Sequence, residues 1–542
     1  MSKPWFDQYD PWVPHEIDAD AYKNVVDMLM EAGERFSDNV AFSNFGATLT
    51  YSEVLSLSRD FAAYLQNELG IVKGDRVALM APNMMAFPVA MLGILRAGGV
   101  QVNVNPMYTP RELEHQLNDA DVDTIVIFSG STATLSEIVA ATGIKNVIVA
   151  GLDDLINLGL PSPPVDPGLT DFVTFTDALA AGNNMDFSEV DINGDDLIYL
   201  QYTGGTTGLS KGAMLTHRNL VANIMQFECC AGDYIKLGHD VVITAIPMYH
   251  IFALMVNTLS YFKFGGTNVM ITNPRDMPAF VAEWAKWKVT VFAGVNTLYN
   301  GLLHTPGFAD LDFSSLGFSV GGGAAVQKAV SDQWKAVTGK HIKEGYGLSE
   351  TSPILTINPF GMTDFMSAIG VPAPSTDISL RDDDGNVVPQ GERGELCAKG
   401  PQVMKGYWRN EAATAEVMTD DGYFCTGDIA VMDEKGFFRI VDRKKDMIIV
   451  SGFNVFPNEI EAEIAMMEGV LECACIGVPN EKTGEAAKVF VVKKDESLTE
   501  EAIREHCKAR LTGYKVPRHI VFIDELPKST VGKILRRELR DL

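Results

Sequence analysis

One stretch of this chain is dense in groups that could hold phosphate. It reads Gln201-Tyr202-Thr203-Gly204-Gly205-Thr206-Thr207-Gly208-Leu209-Ser210-Lys211-Gly212 and follows the apolar run 197–200. Glycines let backbone N–H groups turn inward at positive φ. Thr203, Thr206, Thr207 and Ser210 add hydroxyls, and Lys211 adds an ammonium. Donors gathered in one loop suit the oxygens of a pyrophosphate. The loop is not a Walker A loop, because Lys211 is followed by Gly212 rather than Ser or Thr. An unspecialised Gly/Thr loop is the plain alternative.

The same residues contain a second pattern. Gly208-Leu209-Ser210-Lys211-Gly212 fits GxSxG, which would make Ser210 the nucleophile of a serine hydrolase. That elbow needs a strand leading straight into the turn, whereas residues 201–207 intervene here. It also needs a later Asp and His. His217, His239, His250, His304, His341, His506 and His519 follow, none inside a supporting motif.

Such residues need elements to position them. Runs 76–80, 124–128, 146–150 and 289–293 read as strands, and 51–69 and 110–119 as helices starting at Thr50 and Thr109. The alternation predicts parallel sheets covered on both faces. Residues 151–195, with Pro161-Ser162-Pro163-Pro164 and Gly182-Asn183-Asn184, read as loop. From about residue 375 the texture becomes antiparallel and barrel-like, around the turn Asp382-Asp383-Asp384-Gly385-Asn386. Asp442-Arg443-Lys444-Lys445-Asp446 puts five charges between two apolar strands, either as a hinge or as an ordinary charged turn. A compact α+β unit follows. The expected fold is α/β: a large N-terminal domain (1–441) of parallel-type sheets with helices plus the barrel-like section, a hinge (442–446), and a small mobile α+β C-terminal domain (447–542). Two uncharged stretches, 77–95 and 241–262, are long enough to span a bilayer. Each is broken by proline and polar residues and reads better as a buried strand running into a buried helix.

The chain of 542 residues is 46% hydrophobic and 21% charged, enough apolar content for a large core and unlike a disordered acidic protein. Its net charge of −27 argues against general nucleic-acid binding. The last 42 residues run the other way, with ten Lys/Arg against six Asp/Glu. That asymmetry suits contact with anionic groups, or merely a solvated basic face. Seven cysteines without a CxxC pair favour a reducing compartment over a disulfide framework or structural zinc. No apolar segment follows the N-terminal lysine, so no signal peptide is expected.

Further stretches line up with the phosphate loop: Glu344-Gly345-Tyr346-Gly347-Leu348-Ser349-Glu350, Tyr423-Phe424-Cys425-Thr426-Gly427-Asp428, the charged run at 442–446, and Val531-Gly532-Lys533-Ile534-Leu535-Arg536-Arg537. In this order and at these separations they resemble the adenylate-forming superfamily of acyl-CoA synthetases, beetle luciferases and nonribosomal-peptide adenylation domains. Asn103-Val104-Asn105-Pro106-Met107-Tyr108-Thr109-Pro110-Arg111-Glu112, Gly294-Val295-Asn296-Thr297-Leu298 and Val450-Ser451-Gly452-Phe453-Asn454-Val455-Phe456-Pro457 look most like bacterial long-chain fatty-acid–CoA ligases.

That resemblance implies an acid–thiol ligase. A carboxylate attacks the α-phosphate of ATP, giving acyl-adenylate and pyrophosphate, and the thiol of CoA then displaces AMP. Thr203, Gly204, Gly205, Thr206, Thr207, Gly208 and Lys211 would cradle the phosphates. Glu350, with Ser349 before it, would hold Mg²⁺. Tyr346, between Gly345 and Gly347, would stack on adenine, and Asp428 would accept from the ribose with Arg443 nearby. Lys533 would bridge carboxylate and nucleotide, His250 would orient the substrate, and Lys445 would be the pivot of a domain rotation. Gly452 and Phe453 would line the route of the thiol. Tyr249 and the open space beside Gly321, Gly322 and Gly323 would border the acyl channel. The implied partners are ATP, a medium- or long-chain fatty acid and coenzyme A, with Mg²⁺ accompanying ATP and no nucleic acid. Transient peripheral membrane contact and a homodimer stay open, and the implied location is cytoplasmic or on the inner face of the cell membrane. Another carboxylate such as an aryl acid, a carrier-protein thiol, and a catalytically silent acyl-adenylate binder are the remaining alternatives. Ser349, Cys425 and Ile449 stand where relatives often carry Thr, His and Lys.

Overall fold

The computed structural model describes residues 3–203, 210–451, 453–480, 482–530, 532–540 and 542. Two largely parallel sheets form the N-terminal part. The first has seven strands in the spatial order Val173–Thr174, Asn146–Ala150, Thr124–Phe128, Arg76–Met80, Val100–Asn103, Leu197–Thr203, Lys211–Thr216. Only its last pair is antiparallel. The second has nine, in the order Val371–Pro372, Ile354–Ile357, Ile342–Gly347, Phe318–Gly321, Val291–Gly294, Val241–Thr244, Thr267–Met270, Val40–Asn44, Ala47–Thr50. Helices Val25–Arg35, Tyr51–Asn67, Ala86–Arg96 and His217–Ala231 contribute to one core with residues from both sheets. Burial on both faces explains why the strands are continuous apolar runs.

Local signals start the helices where expected. Thr50 and Thr109 each form a reciprocal cap with Glu53 and Glu112, satisfying two orphan N–H groups apiece. The stretch at 77–95 is the strand Arg76–Met80 and the helix Ala86–Arg96, which is buried on every side. No helix among the described residues is long and apolar enough to cross a membrane. The stretch at 241–262 begins as a strand and continues as a π-helical segment, Ala253–Leu259.

The loop expected over 151–195 holds a short strand, Val173–Thr174, and a helix, Phe175–Gly182. Thr174 caps that helix by accepting from the Asp177 N–H, and Phe175 packs on Phe61 at a ring separation of 5.0 Å. The strand expected at 289–293 is Val291–Gly294.

The section after residue 375 is antiparallel as expected. Its four strands run Asp377–Arg381, Arg393–Lys399, Phe424–Met432, Phe438–Arg443 in an open order. The last strand takes in Asp442 and Arg443, so the charged run begins inside the sheet. Beyond it lies a five-stranded sheet, with Gly484–Lys493 paired to Val470–Asn480 on one side and to Ile448–Val450 and His519–Phe522 elsewhere. Each face has its own apolar cluster. Arg536 ties this unit to the charged run, reaching Glu461 at 2.8 Å and Asp442 and Asp446 at 3.7 Å.

Candidate active site

Strand Leu197–Thr203 returns as Lys211–Thr216, with Thr203 opposite Lys211. In sequence the phosphate-type loop joins these two antiparallel strands. Its residues Gly204, Gly205, Thr206, Thr207 and Gly208 lie outside the described residues, as does Gly452. The base of the hairpin is held firmly. Tyr202 donates its hydroxyl to Asp119, and Trp408 N–H bonds Gly212 O at 2.8 Å. Lys211 Nζ sits 5.2 Å from the Tyr407 ring centre. Ser210 meets a histidine, but at the wrong atom for a hydrolase: His115 Nε2 contacts its backbone carbonyl at 2.9 Å.

A chain of buried amides links this strand to the segment carrying Tyr249 and His250. Gln116 donates to Asn103 O, Asn103 to Gln201, and Gln201 to Tyr249 O at 3.2 Å. From the other side Asn83 donates to Thr244 O and Ile246 O and accepts from Met248 N–H at 2.7 Å. Buried amides without partners would be costly, so this network fixes the segment between the two sheets. Phe252 N–H donates to His250 Nδ1 at 3.3 Å. Burial, with Lys533 nearby, pulls the His250 imidazole down to about 3, so it stays neutral.

Glu350 lies in a short helical turn after strand Ile342–Gly347, next to partly buried Ser349. Its carboxylate accepts the Tyr407 hydroxyl at 2.9 Å. Burial raises its pKa, and Tyr407, Arg443 and Lys533 oppose that rise. Sequence reasoning missed Tyr407; the only signal was the run Gly406-Tyr407-Trp408. Among the described residues no group of three or more His, Cys, Asp or Glu could hold a metal ion. A hard divalent cation at Glu350 would have to share its ligands with substrate phosphates, the usual arrangement for Mg²⁺.

Tyr346 and Asp428 come together. The Tyr346 hydroxyl donates to Asp428 Oδ2 at 2.6 Å, and Arg443 Nε is 3.2 Å from Oδ1. The ring of Tyr346 is thus held at its hydroxyl end. Gly347 is obligatory, since a Cβ there would stand 1.7 Å from Pro353 O, whereas Gly345 has ordinary clearance.

Lys533 reaches this group from the C-terminal domain. Gly532, at φ +77°, makes the turn before it, and Thr297 donates to Gly532 O at 3.2 Å. Thr530 accepts the Tyr249 hydroxyl at 2.6 Å and lies 3.4 Å from Asn105 Nδ2. Burial, then Arg443, pulls the Lys533 ammonium down to about 8, against the pull of Asp428 and Glu350. The structure therefore assembles Lys533, His250, Glu350, Asp428 and Arg443 from widely separated segments.

The glycine triplet corrects one expectation. The space beside Gly321 is filled by Val326 and Ile342, whose side-chain carbons lie 2.4 and 2.8 Å from where a Cβ would stand. Phe252 occupies the space beside Gly322 at 3.2 Å. These two glycines admit neighbours rather than leave a void. At Gly323, φ +76°, a Cβ would instead stand 3.4 Å from Lys533 Cε. Lys445 is exposed in the turn after Arg443. Phe453 lies apart from the cluster, 56% exposed and stacked on Tyr514 at 4.8 Å. Beside it, Val450, Ser451, Thr483, Tyr514 and Arg518 line a cavity of about 270 Å³.

Residues 29–408 match the family described as AMP-binding enzyme, and residues 459–533 match the AMP-binding enzyme C-terminal domain. A long-chain-fatty-acid–CoA ligase of Yersinia pestis is 52% identical, over 100% of this chain and 98% of its own length. The enzyme of the same name from Escherichia coli O6:H1 is 51% identical over the same shares. A crystal structure of the anthranilate CoA ligase AuaEII with anthranoyl-AMP superimposes with a TM-score of 0.86, covering 97% of this chain and 98% of that one at 24% identity, a likeness of fold. Two family matches in sequence order, and relatives sharing about half of all positions end to end, establish that the chain belongs to the AMP-binding enzyme family.

Proposed function

We propose that the chain is an ATP-dependent fatty-acid–CoA ligase for long acyl chains, working through an acyl-adenylate. The observation that carries this reading is the seat of Lys533. It lies between Gly323 and the group of Arg443, Asp428 and Glu350, beside a neutral His250. Attack of a carboxylate on a phosphate brings two anions together, so the first need is positive charge at that point. Lys533 supplies it while protonated. Thr203 and Lys211 stand at the base of the hairpin whose tip would take the β- and γ-phosphates. Asp428 would accept from the ribose, with Arg443 balancing its charge, and the ring of Tyr346 would lie on the adenine. Glu350 would hold Mg²⁺, which screens the phosphate charge when bound. The neutral imidazole of His250 can orient a carboxylate without trapping it as an ion pair.

The second half-reaction needs a different neighbour. Rotation about Lys445 would withdraw Lys533 and bring up the face carrying Gly452 and Phe453. The adjoining cavity, with Arg518 and Tyr514, has a cation and an aromatic ring for a phosphorylated thiol carrier such as coenzyme A. The long-chain assignment rests on the names of full-length relatives identical at about half of their positions.

The test is AMP release from ATP, Mg²⁺ and CoA across saturated fatty acids from short to long, with coumarate as control. Release that rises with chain length and requires CoA is the expected result. Pyrophosphate exchange without thioester on any acid would keep the adenylation step and reject CoA as acceptor. Preference for coumarate would overturn the fatty-acid assignment.

A further inference from the structure

Cys397 and Cys425 are directly paired residues on the antiparallel strands Arg393–Lys399 and Phe424–Met432. Their sulfurs are 2.8 Å apart. Among the described residues no other two thiols are in hydrogen-bond contact. A disulfide bond is about 2.0 Å long, so closing one here asks for less than about 1 Å of movement.

The two thiols are unequal in a way that suits stepwise oxidation. Cys425 is partly exposed and Cys397 is fully buried. The contact with the Cys397 sulfur lowers the Cys425 pKa, and Arg381 and Lys444 add to that effect against burial and Glu395. The same contact, then burial, raises Cys397. The reachable sulfur is therefore the one inclined to be thiolate, the form that reacts with oxidants. Its protonated partner is already in contact.

We propose that Cys397 and Cys425 form a redox-modification site, which a hydroperoxide converts into an intramolecular disulfide beside the nucleotide site. The Cys425 thiolate attacks a peroxide oxygen and breaks the O–O bond. The departing oxyanion takes a proton from solvent, and Cys425 becomes a sulfenic acid. The Cys397 sulfur then displaces the hydroxyl from the Cys425 sulfur, and the Cys397 proton leaves with that hydroxyl as water. The pair gives up two electrons and the peroxide is reduced by two. An external dithiol reverses the change by exchange.

The bond would close the segment 398–424, which carries Tyr407 against Glu350, and would anchor it three residues before Asp428. In a reducing environment such a bond is transient, which fits a sensing role better than a structural one.

The test uses the full chain. Hydrogen peroxide is added in small molar excess, remaining thiols are alkylated, and the protein is digested without reductant. The expected product is one cross-linked pair of peptides containing Cys397 and Cys425, lighter by two hydrogens than the sum of its parts and released by dithiothreitol. Cys425→Ser should abolish the cross-link. Cys397→Ala should leave Cys425 arrested as a sulfenic acid that dimedone traps. Cross-links between other cysteines would overturn the proposal. So would irreversible oxidation of Cys425 without any cross-link, or failure of dimedone to label the Cys397→Ala protein.

Discussion

The C-terminal domain carries two chemically distinctive faces, and the structure treats them oppositely. The turn with Lys533 is drawn into the N-terminal domain, held by Tyr249 and Thr297. The face with Phe453 is turned outward, this residue being 56% exposed and its ring stacked on Tyr514 of its own domain. One face is engaged while the other waits. This is the arrangement an enzyme needs if a single small domain serves two steps in turn, and under the proposed function the observed posture would be that of adenylation.

The sharpest way to break the comparison is Lys533→Ala. ATP–pyrophosphate exchange should fall by about 10²–10³-fold, the usual cost of removing one group that stabilises transition-state charge. Thioester formation from added acyl-adenylate should persist. Equal loss of both steps would show that the faces are not separately used. A pH profile adds to this test. Lys533 is needed as the cation and its pKa lies near 8, below an ordinary lysine. In the free enzyme, exchange should therefore hold below pH 8 and decline above it, sooner than full-strength lysine chemistry would allow.

A smaller effect is expected at Tyr407→Phe. The Glu350 carboxylate loses its hydroxyl donor, and the Mg²⁺ concentration for half-maximal exchange should rise about tenfold, as when other supporting partners of metal ligands are removed. An unchanged Mg²⁺ requirement would separate Glu350 from the metal. On the waiting face, Phe453→Ala should raise the KM for CoA about fivefold, in line with the ~1 kcal/mol of an aromatic stack. Exchange without CoA should not change. The gentlest probe is Thr530→Val, which removes the acceptor for Tyr249. A net hydrogen bond of about 1 kcal/mol predicts roughly a fivefold slower exchange and no effect on the thioester step.

What the sequence disclosed depended on how local each signal was. The caps at Thr50 and Thr109 are read within four residues, and both helices start there. The strand-then-helix reading of 77–95 needed only hydrophobic runs and a proline. The helix Phe175–Gly182 was hidden because its surroundings are rich in proline and glycine, although Thr174 and Asp177 have capping spacing. The site divides in the same way. Glu350, Asp428 and Lys533 stand in short motifs. Tyr407 acts on Glu350 from 57 positions away, across a contact that only the folded sheet creates. Asn83, one of the polar residues that break the uncharged stretch 77–95, holds the segment of Met248. The glycines at 321 and 322 were misread because absence of a side chain says nothing about which neighbour fills the gap.

Asp442 gives the hinge a consequence of its own. It belongs to the last strand of the N-terminal part, yet its carboxylate accepts the Asn458 N–H at 2.9 Å and lies 3.7 Å from Arg536, both beyond the pivot at Lys445. The proposed turn at Lys445 would release these contacts, and Asp442 would then act as a detent that sets how long the enzyme dwells in its first posture. Burial lifts this carboxyl to about 6 despite Arg536. As pH falls through that value the group gains a proton and loses its ionic hold on Arg536. In that rotation mild acidification would loosen the detent and shorten the dwell, making the timing between the two steps sensitive to a residue that touches neither substrate.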